Sequence, residues 1–247
     1  MLDQKFQKQQ KHYVNTSQKC FWDNGFVNLD ILENKEKKNI FNTLDSINNN
    51  SEDYKTIIKD KYKSLKIIDI REDDNFYDDF IDFLKADQLI EKLNFITCKK
   101  LIPIAIKIRI NGNQKKKNLF FNRHRDTYKS NNIIYGNIPP LVNLHIYPES
   151  PDFEAEKQLR VWPGSHKRFY NNFIDKININ FAKSLDIKTD NNKMLLFDTS
   201  LVHAIYPTKN PLGSIRCMFN FLDEHQIHDE IEDYSLVCEW KKRLYGI

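Results

Sequence analysis

The sequence predicts a mainly β protein with flanking helices, an antiparallel double-sheet barrel or jelly roll formed as a single domain. Three observations carry that prediction. The first hundred residues space their apolar side chains as helices do. From residue 101 onward, short β-branched and aromatic segments alternate with turn residues. No internal repeat and no Pro- or Ser-rich linker divides the chain. With 247 residues, 40% of them hydrophobic and 13% aromatic, the chain can fill a core, which excludes wholesale disorder.

The elements follow in order. Asn34–Ile47 places Ile40, Phe41, Leu44 and Ile47 on one helical face, and the polar Asn48–Glu52 reads as a loop. Phe76–Phe95 reads as one helix whose apolar face holds Phe76, Phe80, Phe83, Leu84, Leu89, Ile90 and Leu93. The character then changes. LIPIAIKIRI, from Leu101, is strand-like, and Asn111-Gly112 after it predicts a hairpin. Further strands are expected at Leu119–His124, Leu141–Tyr147, Leu159–Trp162, Met194–Phe197, Leu201–Tyr206 and Ser214–Leu222. Turns separate them at Pro139-Pro140, Pro148–Pro151, Pro163-Gly164-Ser165 and Pro207–Gly213. Ile231–Leu244 reads as a closing helix. The domain thus divides into a mainly helical part (1–100), a β core (101–223) and a tail with its helix (224–247).

Composition narrows the function. Thirty-eight Lys+Arg against 34 Asp+Glu leave a net charge of +4, too mild to argue for nucleic acid or an anionic membrane surface. Apolar runs such as Leu101–Ile106 fall far short of the ~20 residues that span a bilayer. The N-terminus, MLDQKFQKQQKHYV, has no apolar signal region. Cys20, Cys98, Cys217 and Cys238 form no CxxC pair, which argues against a disulfide framework and a zinc ribbon. A soluble, cytoplasmic protein is expected. The chain has 27 Asn but only 6 Gly. Asn, which tolerates the left-handed conformation, is therefore expected to serve turns that Gly would otherwise fill.

Of the seven histidines, His12, His225 and His228 lie in polar, charged surroundings and read as surface residues. His124 and Asp126 differ. They occur two residues apart in FNRHRDTY, at the end of a strand-like run, so both side chains point to one face. A His from a distant strand would complete a facial triad of two His and one carboxylate, which binds Fe(II) and leaves open positions. His203, in MLLFDTSLVHAIYP, is placed to be that residue. Arg216 follows in the apolar strand GSIRCMFNF, where a guanidinium is costly to bury unless it meets an anion. Its planar fork matches a carboxylate. Together the four residues describe an iron site with a dicarboxylate beside it.

On these residues the chain resembles the Fe(II)/2-oxoglutarate-dependent oxygenases, and within them the phytanoyl-CoA dioxygenase family. Cys20–Leu32 (CFWDNGFVNLDIL) is similar to that family's opening segment, and RHRD supplies its His124-x-Asp126 element. Val161–Arg168 (VWPGSHKR) contains its Pro-Gly-Ser-His turn, and KMLLFDTSLVHAIYP followed by Arg216 is similar to its distal metal His and 2-oxoglutarate Arg. The resemblance covers about residues 20–222. It implies a double-stranded β-helix, Fe(II) held by His124, Asp126 and His203, and 2-oxoglutarate held by Arg216. Succinate and carbon dioxide would be co-products, and O2 and a small molecule the other reactants. Because Asp126 is present, hydroxylation of an unactivated C–H (or desaturation) is implied rather than halogenation. Two departures stand out. Glu156-Lys157-Gln158-Leu159 differs from the usual lead into the Pro-Gly-Ser-His turn, and Met218 rather than a hydroxyl stands two residues after Arg216.

Further positions have two readings each. Alternation in Leu141–Tyr147 sets Asn143, His145 and Tyr147 on one face and Val142, Leu144 and Ile146 on the other. If the polar set lines a barrel, Asn143 can bond the 2-oxoglutarate 1-carboxylate, and His145 or Tyr147 can touch substrate. On an edge strand it would face solvent instead. Lys107 and Arg109 alternate likewise, as contacts for a carboxylate or an anionic substrate or as surface charges. Trp162 is a pocket wall or a core residue, and His166 reads as a turn-stabilising residue. Basic residues around the motif strands (Arg123, Arg125, Arg160, Lys167, Arg168) hint at an anionic metabolite. Competing functions are a cupin-like metal-dependent sugar or small-molecule enzyme, a non-catalytic binding module on the same fold, and a zinc hydrolase. None of these calls for Arg216.

Overall fold

The computed structural model describes residues 15–31, 34–50, 65–70, 76–111, 123–126, 129–130, 133–134, 142–148, 159–167, 177, 181–187, 193–205, 214–224 and 243–245. A first helix, α1, covers 15–24 and runs through Gly25 into strand β1 (Phe26–Asp30). Helix α2 (Lys35–Asn49) starts where Asn34 caps it, its Oδ1 accepting the Lys37 N–H at 2.8 Å. It buries Ile40, Leu44 and Ile47, three of the residues expected on its inner face. After β2 (Leu65–Ile70) come α3 (Tyr77–Lys85) and α4 (Leu89–Thr97). The single helix predicted over Phe76–Phe95 is therefore two. Asp87 and Gln88 take φ of 51° and 57°, the left-handed region, and break the ladder without any Gly or Pro to mark the place. Asn34 Nδ2 donates to Asp87 Oδ2 at 2.6 Å, tying the break to the α2 cap.

The remaining strands are β3 (Leu101–Asn111), β4 (Lys129–Ser130), β5 (Ile133–Ile134), β6 (Val142–Ile146), β7 (Leu159–Val161), β8 (Leu185–Ile187), β9 (Lys193–Asp198), β10 (His203–Ile205) and β11 (Ser214–Asp223). Six form one antiparallel sheet in the order β1-β9-β6-β11-β3-β2, and three form a smaller sheet, β10-β7-β8. The short β4–β5 pair stands apart. The described residues before 101 are mainly helical, and they also supply two strands, β1 and β2, to the large sheet. The hairpin predicted at Asn111-Gly112 is not formed with the next strand. Asn111 is already paired on both sides, with Leu65 of β2 and Ser214 of β11, so β3 is an inner strand to its end. Of Leu119–His124 and Ile231–Leu244, most lies outside the described residues. His124 makes an isolated bridge, and 243–245 are helical.

The two faces of the large sheet divide the labour. On the outer face, Val27, Leu144, Leu196, Cys217, Phe219 and Ile108 join Ile40, Leu44, Phe80, Leu84 and Leu93 of the helices in one core cluster. Phe219 of β11 stacks on Phe83 at 6.2 Å and meets the edge of Phe80 at 6.0 Å. Full burial of each such ring stabilises by ~1.5–3 kcal/mol. On the inner face, Phe26, Tyr147, Leu195 and Phe197 pack against Leu159, Val161, Ile187 and Leu201 from the small sheet and its turns. Among the described residues no helix is long and apolar enough to cross a membrane.

Candidate metal centre

A backbone bridge brings the candidate ligands together. His124 N donates to His203 O and His203 N to His124 O, both at 2.9 Å, while Asp126 N donates to Thr199 O at 2.9 Å. The segment carrying His124 and Asp126 is thus pinned along the turn that precedes His203. The two imidazole centroids lie 4.3 Å apart. Asp126 Oδ1 lies 3.3 Å from His124 Nε2 and 3.6 Å from His203 Nε2. One ligand atom from each of the three residues falls within 4.8 Å of the others, a group able to hold a metal ion.

The surroundings prepare the three for that role. Leu201 O lies 3.0 Å from His203 Nδ1, so the proton sits on Nδ1 and Nε2 is left for a metal. Burial pushes the His203 pKa down to about 4, against the attraction of Asp126, so the ring is neutral at pH 7. Burial raises the Asp126 pKa, but the hydrogen bond with His124 and the charges of His203, His124 and Arg216 outweigh it and hold the carboxyl below its ordinary value. Asp126 keeps about a third of its side chain open to solvent (34%). Asn143 Nδ2 donates to the other oxygen, Oδ2, at 3.0 Å, and Asn143 Oδ1 accepts from Asn220. Phe197 packs between His145 and His203, with centroids at 4.7 and 5.3 Å.

The register of the large sheet explains the rest. Asn143, His145 and then Tyr147 share the inner face with Phe197, Leu195, Asn220 and Met218. All three are buried, so the edge-strand reading is set aside. Met218 lies opposite Lys107, and Arg216 opposite Arg109, so both basic residues of β3 also face this side, half-buried. Arg216 is 3% exposed, and among the described residues its Nε has no hydrogen-bond partner and no carboxylate pairs with it. Tyr147 lies close to the Arg216 guanidinium, and its hydroxyl is 3.2 Å from His145 Nδ1. Burial raises the Tyr147 pKa, although Arg216 opposes this. Burial first, and then Arg216, His203 and Arg109, hold His145 well below its ordinary value, which leaves it neutral. A buried guanidinium without a carboxylate, next to a hydroxyl, is the environment a carboxylate ligand fits.

Trp162 does not join this group. Val161 pairs with His203 and faces inward, while Trp162, one residue on, packs with Val202 and part-buried Ala182 and Ala204 under the Arg123 guanidinium. His166 is a turn residue, with Nε2 3.1 Å from Trp22 O. Two contributors went unnoticed in the sequence. Phe197 was read only as part of a strand, and Arg125, between the two ligands, only as one basic residue among several.

No protein-family model matches the chain, and no curated protein matches it. Solved structures do. SnoN, a non-heme alpha ketoglutarate dependent epimerase from nogalamycin biosynthesis, matches with a TM-score of 0.65 at 9% identity, over 86% of this chain and 83% of its own. The fold is the double-stranded β-helix. EctD from S. alaskensis with bound Fe matches with a TM-score of 0.61 at 12% identity, over 90% of this chain and 83% of its own. EvdMO1 matches with a TM-score of 0.63 at 17% identity over 85% of this chain, which spans 50% of EvdMO1's length. In this double-stranded β-helix the helical layer backs the large sheet, and the candidate site lies between the two sheets.

Proposed function

We propose that the chain is an Fe(II)/2-oxoglutarate-dependent oxygenase of the phytanoyl-CoA dioxygenase type. In this reading it hydroxylates an unactivated C–H of a small anionic metabolite and releases succinate and carbon dioxide. The observation that carries the proposal is the pairing of the His124–Asp126–His203 group with a buried, carboxylate-free Arg216 on the adjacent inner face. Two neighbours in fold support it. SnoN is known in complex with Fe3+ and alpha ketoglutarate, and EctD with 2-oxoglutarate and 5-hydroxyectoine. The thiols of Cys20, Cys98 and Cys217, none in a disulfide, suit a cytoplasmic protein.

The chain's own residues divide the work. His124, Asp126 and His203 would hold the iron, with Leu201 O fixing the tautomer of His203 and Asn143 orienting Asp126. Arg216 would take the far carboxylate of 2-oxoglutarate, and Tyr147 would supply the hydroxyl that Met218 does not. Charge is balanced, because the two positive charges of the ion offset the two negative charges of the dicarboxylate, and Asp126 offsets Arg216. Lys107 and Arg109 would draw in the anionic group of the substrate from the more open side of the same face. His145, neutral and buried against Phe197, helps close the site to water and adds no positive charge to it. Iron and 2-oxoglutarate, when bound, supply the oxidative chemistry with O2.

The test is anaerobic addition of Fe(II) and 2-oxoglutarate while following the visible metal-to-ligand charge-transfer band. A band in the wild type that is lost in His203→Ala, with succinate formed on admitting air, is the expected result. A folded protein that gives no band would sink the oxygenase reading in favour of a cupin-like enzyme or a binding module.

A further inference from the structure

Arg125 joins three segments that the metal ligands depend on. It stands between His124 and Asp126, and strand alternation sends its side chain away from theirs. The residue is 7% exposed. Its NH1 donates to Ser165 O at 2.9 Å and also to Ser200 O. One carbonyl belongs to the Pro-Gly-Ser-His turn and the other to the turn that leads into His203. The same two turns are tied by Val202 N donating to Ser165 Oγ at 2.9 Å, and Asp126 N reaches Thr199 O in the second turn. The first turn is anchored in its own right, since Gly164 N donates to Asn24 O at 2.9 Å.

This arrangement is costly unless it holds a geometry. Desolvating a guanidinium costs several kcal/mol, and an apolar side chain of the same volume would fill the space more cheaply. Both carbonyls meet one terminal nitrogen, NH1, whose two N–H bonds are held at a fixed angle in the guanidinium plane and so fix the separation of the groups they bond. Among the described residues His124 and Asp126 are held by the isolated bridge to His203 and one bond to Thr199 O rather than by a ladder, so a side-chain tie adds to that backbone pairing. We propose that Arg125 is a positioning residue for the metal centre. It sets the spacing of His124 and Asp126 against His203, and so strengthens metal binding without touching the ion. This rests on the reading of the triad as a metal site.

The probe is Co(II), whose visible absorption reports both occupancy and coordination geometry. It is titrated into folded wild type, Arg125→Met, Arg125→Lys and, as a control for general loosening, Leu93→Ala, a fully buried core position in the helical layer. Outer partners of metal ligands typically account for ~10–100-fold in affinity. Arg125→Met is expected to bind Co(II) about that much more weakly and with a changed band shape. Arg125→Lys is expected to fall between, because an ammonium offers no fork. Leu93→Ala is expected to bind like wild type even where its Tm falls as far. Binding by Arg125→Met within threefold of wild type would overturn the proposal, as would equal weakening in Leu93→Ala. If Arg125→Met does not fold, the same threefold criterion applies to Arg125→Lys. Wild type that binds no Co(II) would instead remove the metal site, and this role with it.

Discussion

Replacing Arg216 with Met should make the ligand-free protein more stable while destroying its grip on 2-oxoglutarate. Arg216 is 3% exposed, no carboxylate among the described residues pairs with it, and it stands directly opposite a second cation, Arg109, on the neighbouring strand. Like charges facing each other across a sheet destabilise it, and a buried charge that makes no ion pair among the described residues is worse placed than a Met of similar length. Relief of about 1–2 kcal/mol is expected, which in a chain of this size raises Tm by about 2–8 °C. Ligand binding moves the other way. Truncating one partner of a buried charge pair costs about 2–5 kcal/mol, or about 30- to 5,000-fold in affinity. The assay is the 2-oxoglutarate dependence of the anaerobic Fe(II) charge-transfer band, with Tm measured on the same preparations. 2-Oxoglutarate with Fe(II) should raise the wild-type Tm beyond the effect of Fe(II) alone, and should not do so in Arg216→Met. A variant that binds 2-oxoglutarate within threefold of wild type, or whose ligand-free Tm drops by several degrees, would refute the view that this guanidinium awaits a carboxylate.

Acid should weaken the metal-free protein well before ordinary carboxylates titrate. The folded His203 pKa of about 4 lies below the ordinary 6.5, so the unfolded chain takes up that proton first. Stability from this group is full above pH 6.5 and drains toward pH 4, on the order of 3 kcal/mol in all. His145, shifted the same way, adds to the loss. Urea midpoints that stay level from pH 7 to pH 5 would contradict this. Tyr147→Phe should weaken 2-oxoglutarate about 12-fold, the value of one hydrogen bond to a charged group at its lower end, and should leave Fe(II) affinity in the absence of 2-oxoglutarate unchanged. Equal weakening of both ligands in separate titrations would show that Tyr147 acts through the fold instead. Gly25→Ala should lower Tm, because Gly25 sits at φ +84° and an added Cβ would meet His166 Nδ1 at 2.4 Å. Gly25→Ala/His166→Ala should lose less than the sum of the single losses, and strict additivity in a thermal double-mutant cycle would count against that contact.

The parts of this molecule that were legible in the sequence are those governed by short periods. Helix α2 and the two faces of β6 follow from period-3.6 and period-2 spacing; alternation puts Asn143, His145 and Tyr147 on one face, and the place of β6 inside the large sheet decides that this face is the inner one. The four site residues were legible because each is chemically odd where it stands, above all an Arg within GSIRCMFNF. What stayed hidden depends on tertiary contact. The break at Asp87–Gln88 has no Gly or Pro, and it is held by a hydrogen bond from Asn34, 53 positions away. Strands β2 and β8 are short, and β8 (Leu185–Ile187) carries little apolar signal. Asn111-Gly112 has the local signature of a hairpin, but ladders on both sides of β3 override it. Trp162 misses the site by one residue of phase, because it is Val161 at the end of β7 that pairs with His203 of β10, and no count of aromatics reveals this.

That dependence on phase gives the helical layer a part in the chemistry. In a strand of period two, a slip of one residue in β6 would send Val142, Leu144 and Ile146 to the site and Asn143, His145 and Tyr147 into the apolar core. In β11 the same slip would put Cys217 where Arg216 stands and bury the guanidinium among Phe80, Phe83 and Leu84. The penalty falls on the outer face, where Phe219 is locked against Phe80 and Phe83 and cannot be exchanged for a polar neighbour. The described helices pack on the outer face of the large sheet, opposite to the triad and Arg216, and so decide which residues of the central strands face inward. Position along the strand is then refined by ladders that run from β1 through β9 and β6 to β11, and so place Phe197, Asn143 and Asn220 in one row. Asp126 receives its hydrogen bond from that row through Asn143, and Arg216 lies two rows further along the same face. The separation of the candidate metal site from the candidate carboxylate site is therefore a fixed number of strand repeats, set by the sheet rather than by the loops.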